Sequence, residues 1–337
     1  MKAVVLVKNG KAENAFEIKE MPKPSIETGE VLIKVEGFGL NYADVMARNG
    51  LYREAPPLPS IIGYEVVGKI EEAEDKTIIG KRVVGFTRFG GYAEYAKTKT
   101  NAVTEIPEDM DLGVACALAT QYVTAYHAAY EMVNLYEGDK IMVHAAAGGV
   151  GIAITQLAKL KGCEVFGTSS KKEKLEFIKG NGVDFPINYK TIDYEQEINK
   201  IIGVERLDVA FNSIGGSTFK KDRRLVGAAG RQVLYGGAER SGKKWGIFST
   251  LNFVRKMGRV IPIGLMMRSK GIVGVNMLKV ADFKPHIIER CMTAVVDLAK
   301  EGKINPHIDK VYPVEEIAKA HAHLESRNSI GKIAVKW

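Results

Sequence analysis

The residues whose spacing carries the most chemistry are Ala146, Gly148 and Gly151, in the run HAAAGGVG at 144–151. The apolar stretch KIMV precedes the run. GIAITQLAKL follows it, with Ile152, Leu157 and Leu160 spaced as one face of a helix. A strand, a glycine turn and a helix in that order suit a dinucleotide. Gly148 lets the backbone approach a pyrophosphate, whose charge rests at the helix N-terminus, and Gly151 lets the helix pack closely on the strand. Ala146 stands where the fingerprint usually has its first glycine. Cofactor contacts are expected from Ala147, Gly148, Gly149, Val150 and Gly151.

The next strand selects the cofactor. At its tip an NAD site carries an acid that holds the ribose hydroxyls. Here EVFGTSS ends in Ser169 and Ser170, followed by Lys171, Lys172 and Lys174. Hydroxyl and ammonium donors suit a 2′-phosphate, so NADPH is the expected cofactor. A serine N-cap leading into a solvated helix would explain Ser170 but not the missing acid.

A second cluster, Asn41 and Tyr52, lies in GLNYADVMARNGLY at 39–52. A tyrosine hydroxyl can hydrogen-bond a quinone or enone oxygen and pass a proton, though its reference pKa of about 10 makes it a weak acid. Asn41 can donate or position. The plainer readings are an N-cap for Asn41, an i, i+4 pair for Asp44 and Arg48, and a packed aromatic for Tyr52. Tyr64 is a lesser candidate. His321 and His323 are two apart and cannot share a helix face, and His144 reads as strand-end packing. No nucleophile–base pair recommends a hydrolase. Cys116, Cys163 and Cys291 make no CxxC pair or ligand spacing, so neither a disulfide framework nor a zinc site is expected.

Around these clusters, residues 1 to about 120 read as short strands with Gly- and Pro-bearing turns, which argues for a small, partly open barrel. Val31, Ile33 and Val35 alternate with polar neighbours as in a half-buried strand. Beyond 121, strand and helix signals alternate, predicting βαβ units and a doubly wound parallel sheet. The stretch from Glu239 to Lys270 reads as irregular, basic and rich in aromatics and methionines. A strand at GIVGVNM and a long helix to about Gly302 follow it. The last thirty-odd residues read as a short helix and a strand that complete the first domain.

The 337 residues are enough for two domains. The net charge of +8 is scattered rather than striped, and no nucleic-acid module accompanies it. No apolar run is long enough to span a bilayer, and MKAVVLVKNG reads as a strand rather than a signal peptide, so the cytoplasm is expected.

These features resemble the zinc-free quinone oxidoreductases, the zeta-crystallin group of the medium-chain dehydrogenase/reductase superfamily, and within it most of all the vesicle amine transport protein homologues. The matching segments are 39–52, 144–151, GTSSKKEK with INYKT between 167 and 191, and the tail from KINPHIDKVYP to GKIAVKW. The resemblance implies a GroES-like β-barrel domain of residues 1–121 and 304–337, and a Rossmann domain of residues 122–303. It implies a 2′-phosphate pocket of Ser170, Lys174 and Tyr189, with Thr124 and Asn41 towards the nicotinamide. Further cofactor contacts are expected at Ser213, Gly236, Gly237 and Asn276. A homodimer formed through the last sheet strands is implied as well. Zinc-dependent relatives carry a Cys near Leu40 or Asn41 and a His before Glu65; this chain has Gly39-Leu40-Asn41 and Tyr64 there, so no metal is expected. The implied activity is NADPH-dependent, zinc-independent reduction of a quinone or α,β-unsaturated carbonyl. The alternative is a membrane-associated adaptor or lipid-handling protein that binds NADPH with little turnover. Membrane-surface association is otherwise not favoured.

Overall fold

The computed structural model describes residues 1–240 and 246–337 and divides into two units. Met1–Val123 together with Met277–Trp337 make the first, and Thr124–Asn276 the second.

The first unit is built on a seven-stranded sheet centred on the strand Glu30–Leu40. That strand pairs antiparallel with Glu65–Ala73, with Tyr95–Lys99 and with the C-terminal strand Lys332–Lys336. Lys332–Lys336 therefore joins a sheet begun some 300 residues earlier. The alternation at Val31, Ile33 and Val35 understates the burial. Leu32 is as fully buried as Val31 and Ile33, and both faces are covered at the two ends of the strand, with only Lys34 exposed between them. Phe38, Leu40, Ile62, Tyr92 and Ile333 fill the core around it. A short helix, Tyr42–Arg48, leaves the end of the strand, so Asn41 sits at the junction of sheet and helix.

The second unit is a six-stranded, all-parallel sheet. Its spatial order is Phe185–Asn188, Glu164–Ser169, Lys140–Val143, Leu207–Asn212, Val226–Leu234, Gly271–Gly274. The first strand in the chain, Lys140–Val143, lies in the middle, and the order runs outward from it in both directions. This is the doubly wound arrangement expected from the alternating signals. Helices Gly149–Leu160, Lys172–Gly180, Tyr194–Ile202 and Ser217–Leu225 make the crossovers. In the first of these, Ile152 and Leu157 are buried as expected, whereas Leu160 is exposed in the last turn.

The stretch read as irregular contains two helices, Gly246–Met257 and Pro262–Met266; its residues 241–245 lie outside the described residues. Pro262 occupies the first helical position, where its missing N–H costs nothing. Among the described residues, no helix is long and apolar enough to cross a membrane.

Candidate active site

The glycine turn leaves the central strand of the second unit. Ala145 adopts a left-handed backbone conformation, φ 51°, two residues after the strand, and Gly148 precedes the helix Gly149–Leu160 in extended conformation. The first amides of that helix, at Gly149, Val150 and Gly151, have no intrahelical acceptor and are available to an anion. Gly151 lies against the turn itself: a Cβ there would come within 2.5 Å of the Ala145 carbonyl oxygen and 2.8 Å of Ala146 Cα. Only a residue without a side chain lets helix and strand come this close, and the approach leaves room for a pyrophosphate at the backbone.

The neighbouring strand ends beside it. Ser169 is in register with Asn188, and the Tyr189 amide donates to the Ser169 carbonyl at 3.2 Å. Ser170 and Tyr189 thus emerge together from adjacent strand ends, with Tyr189 half exposed and Lys174 buried in the following helix. No carboxylate stands at this strand tip, where Ser169 to Lys172 are two serines and two lysines. On the other side of the central strand, the Ala238 amide donates to the Ser213 carbonyl at 3.1 Å, and a Cβ on Gly236 would meet that same carbonyl at 2.6 Å. Ser213, Gly236, Gly237 and Asn276 all follow the C-terminal ends of their strands, the edge at which open α/β sheets bind ligands. Thr124 is buried in the helical segment Val123–Tyr126.

Asn41 and Tyr52 belong to the first unit. Asn41 is the N-cap of the helix Tyr42–Arg48, and its backbone amide donates to Asp44 Oδ2 at 2.7 Å. The N-cap reading is therefore correct, but the side chain does more. Asn41 Nδ2 donates to Glu65 Oε1 at 2.8 Å, and Lys332 Nζ donates to Asn41 Oδ1 at 3.2 Å. Lys332 and Glu65 are ion-paired to each other, and neither is exposed. Gly39 makes room for the pair, since a Cβ there would collide with Glu65 Oε1 and Lys332 Cε. The carboxamide is thus held at both ends, with its oxygen to the ammonium and its nitrogen to the carboxylate.

Reading the sequence did not find Lys332 or Glu65 as a pair. The one local signal was a lysine among the apolar residues of GKIAVKW. The i, i+4 pair expected between Asp44 and Arg48 does not form. Arg48 is instead fully buried, donating from Nε to the Gly10 carbonyl at 2.9 Å and pairing with Glu325. Asp44 keeps its second oxygen without a protein partner. Burial, reinforced by the Glu65 charge, pushes its pKa up to about 8 against the pull of the Asn41 amide and of Lys332.

Tyr52 and Tyr64 meet edge to face, ring centroids 6.1 Å apart, and Phe89 packs tilted against Tyr64 at 5.2 Å. Burial, followed by the charges of Glu54 and Asp44, raises the Tyr52 hydroxyl to about 12. Tyr64, more deeply buried, is pushed well above the usual phenol range, with Asp44 again contributing. Elsewhere, His321 contacts the Tyr92 hydroxyl through Nε2 at 3.2 Å, whereas His323 faces Tyr312 at 3.0 Å, so the two histidines point apart. His144 is more than packing: its Nε2 lies 2.9 Å from the buried carboxylate of Asp222, which also accepts from Tyr194 at 2.9 Å.

Residues 27–108 match the alcohol dehydrogenase GroES-like domain and residues 181–335 the zinc-binding dehydrogenase family. The synaptic vesicle membrane protein VAT-1 homologue of Homo sapiens is 34% identical over 92% of this chain and 79% of its own length. The chain belongs to the medium-chain dehydrogenase/reductase superfamily, in the group of the quinone oxidoreductases and the VAT-1 homologues. The Danio rerio VAT-1 homologue is 36% identical over 92% of this chain, which spans 65% of that relative's length. Among solved structures, the quinone oxidoreductase of Thermus thermophilus, studied also as its NADPH complex, superposes with a TM-score of 0.81 at 27% identity, covering all of both chains.

One matched family is described as zinc-binding, but the residues at the corresponding place do not fit zinc. The places where the resemblance puts the zinc ligands hold Leu40, Asn41 and Tyr64, and the nearby carboxylate of Glu65 is already paired with the Lys332 ammonium. An amide, a phenol and an occupied carboxylate are a poor set for a metal that prefers thiolate and imidazole.

Proposed function

We propose that this protein is an NADPH-dependent, zinc-independent reductase of quinones or α,β-unsaturated carbonyls. The observation that carries the reading is that Ser170 and Tyr189 leave adjacent strand ends at a tip whose sequence carries no acid, one strand away from the glycine turn, with Lys174 in the helix that follows. The NADPH complex of the Thermus thermophilus quinone oxidoreductase supports it.

Bound NADPH would supply a hydride from nicotinamide C4. The chain's own residues do the rest. The amides of Gly149 to Gly151 and the tight contact at Gly151 hold the pyrophosphate. Ser170, Lys174 and Tyr189 hold the 2′-phosphate, with Thr124, Ser213, Gly236, Gly237 and Asn276 completing the cofactor contacts. Asn41, clamped by Lys332 and Glu65, presents a carboxamide of fixed orientation. Tyr52 hydrogen-bonds the acceptor oxygen, where negative charge develops. The test is NADPH oxidation with 9,10-phenanthrenequinone and a set of enones, with NADH in parallel. Turnover that favours NADPH is expected, and Tyr52→Phe should lower it while leaving NADPH affinity intact. Absence of turnover with every acceptor would end the reading.

A second reading has its own observation. Ile261, Ile263, Met266 and Met267 are 55–79% exposed beside Arg259 and Arg268, a combination suited to an anionic membrane surface. Two VAT-1 homologues named as vesicle membrane proteins are among the relatives. Sedimentation with anionic liposomes, in a protein that fails to oxidise NADPH, would favour this adaptor role.

A further inference from the structure

Asp222, on the helix Ser217–Leu225, is fully buried, and three side-chain donors surround its carboxylate. Oδ1 accepts from the Tyr194 hydroxyl and from His144 Nε2, each at 2.9 Å. Oδ2 accepts from Asn212 Nδ2. A carboxylate can only accept, which places the His144 ring proton on Nε2 and leaves Nδ1, 3.5 Å from Thr168 Oγ1, as an acceptor.

Two of the three donors stand at the roots of two cofactor loops. His144 follows the strand Lys140–Val143 and precedes Ala145, where the glycine turn begins, and its backbone amide donates to the Phe211 carbonyl at 3.0 Å. Asn212 ends the strand Leu207–Asn212 and opens the loop 213–216. Its Oδ1 accepts from the amides of Ile214 and Gly215, both at 2.8 Å, while its Nδ2 also donates to Thr218 Oγ1 at 2.8 Å. The loop so held turns through positive φ at Gly215 and Gly216, 68° and 57°. The Asn212 carboxamide is therefore fixed in one orientation, with its oxygen on the loop and its nitrogen on Asp222 and Thr218.

Packing alone does not call for an acid here. Phe219 and Leu225 bury apolar side chains from the same helix. A buried polar network fixes a geometry more surely than it adds stability, and this one joins the two loops that carry Gly148, Gly149, Gly151 and Ser213. We propose that Asp222 is a positioning residue for the dinucleotide, locking the glycine turn and the loop 213–216 in one relative arrangement through His144 and Asn212. This rests on the NADPH-binding part of the reading above. Asp222 touches no cofactor and acts through the two loops. Ser170, Lys174 and Tyr189 make none of these bonds, so the effect falls on the part of the dinucleotide that NADPH and NADH share.

The geometry supplies its own rescue experiment. Asp222→Asn turns an acceptor into a second donor facing Asn212 Nδ2, so the two amides repel. The exchange variant Asp222→Asn/Asn212→Asp restores the match with donor and acceptor reversed. Position 212 then keeps one oxygen for the Ile214 and Gly215 amides and offers the other to the new amide and to the Thr218 hydroxyl. Fluorescence titration should show Asp222→Asn weakening NADPH and NADH alike, roughly 10- to 100-fold. The exchange variant should bind both within about threefold of wild type, a coupling that only interacting side chains give. A purely structural role would instead lower the melting temperature and leave both dissociation constants unchanged. Wild-type affinity in Asp222→Asn, a loss confined to NADPH, or an exchange variant as weak as Asp222→Asn overturns the assignment of Asp222 alone. If Asp222→Asn does not fold, the exchange variant decides, and its failure to fold or to bind counts against the assignment. A wild-type protein that binds neither nucleotide refutes the cofactor reading and the role of Asp222 with it.

Discussion

Lys332 and Glu65, 267 residues apart in the chain, form an ion pair from which water is fully excluded. Each is satisfied partly by the other and partly by Asn41. Such a pair need not stabilise a fold relative to apolar residues, but breaking it strands a buried charge. Lys332→Met should therefore destabilise the protein by about 3–5 kcal/mol. The double variant Lys332→Met/Glu65→Gln should recover most of that loss. Urea denaturation of the two variants checks this, and equal destabilisation of both would show that packing, not charge, holds the site.

At the glycine turn, Gly151→Ala puts a methyl 2.5 Å from the Ala145 carbonyl. Backbone lies on both sides, so the helix must move away from the strand. A stability loss of about 1–3 kcal/mol is expected, with a fall in NADPH affinity. Gly148, whose added Cβ would meet only the Ala145 carbonyl, at 3.3 Å, should tolerate alanine better. Fluorescence titration with NADPH beside thermal melts separates the two effects.

Lys174→Glu should weaken NADPH about ten- to a hundredfold, the size of one charge-assisted hydrogen bond lost, and change NADH far less. Titrating both nucleotides against one preparation cancels any loss of folded protein. Equal weakening of the two would remove Lys174 from the 2′-phosphate pocket.

Asp44 also predicts how stability responds to pH. Its folded pKa, about 8, lies above the ordinary aspartate value of about 4, so the native state holds a proton that the unfolded chain has released. Its contribution is fully present below about pH 4 and is lost progressively as pH rises to about 8. Asp44→Asn should flatten that part of the melting-temperature profile. A wild-type profile already flat between pH 5 and 8, read as a melting curve at about each half unit, would contradict the raised value.

What the sequence made legible follows from the range over which each feature is encoded. The glycine turn and the acid-free strand tip lie within about fifty residues and rest on residue types that few other structures require, so they could be read directly. Asn41 was readable as a cap from its own neighbours. Its clamp was not, since Glu65 comes from the next strand and Lys332 from the far end of the chain, brought together only by sheet pairing. The helix Gly246–Met257 was hidden because its interior carries Ser249, Thr250 and Asn252, which favour the helix weakly and break the apolar rhythm. The burial of Leu32 was likewise invisible, because Lys34 and Glu36 give the strand the alternation of one with a wet face.

The pairing of Lys332–Lys336 with Glu30–Leu40 also sets an order of events during synthesis. Glu65 leaves the ribosome early, and the whole of Thr124–Asn276 must be made before Lys332 follows. Until then the nascent first unit carries a carboxylate with no ammonium to meet it and a sheet with an open edge beside Gly39. A chaperone that shields exposed strand edges would find its longest opportunity there, whereas the second unit is contiguous in the chain.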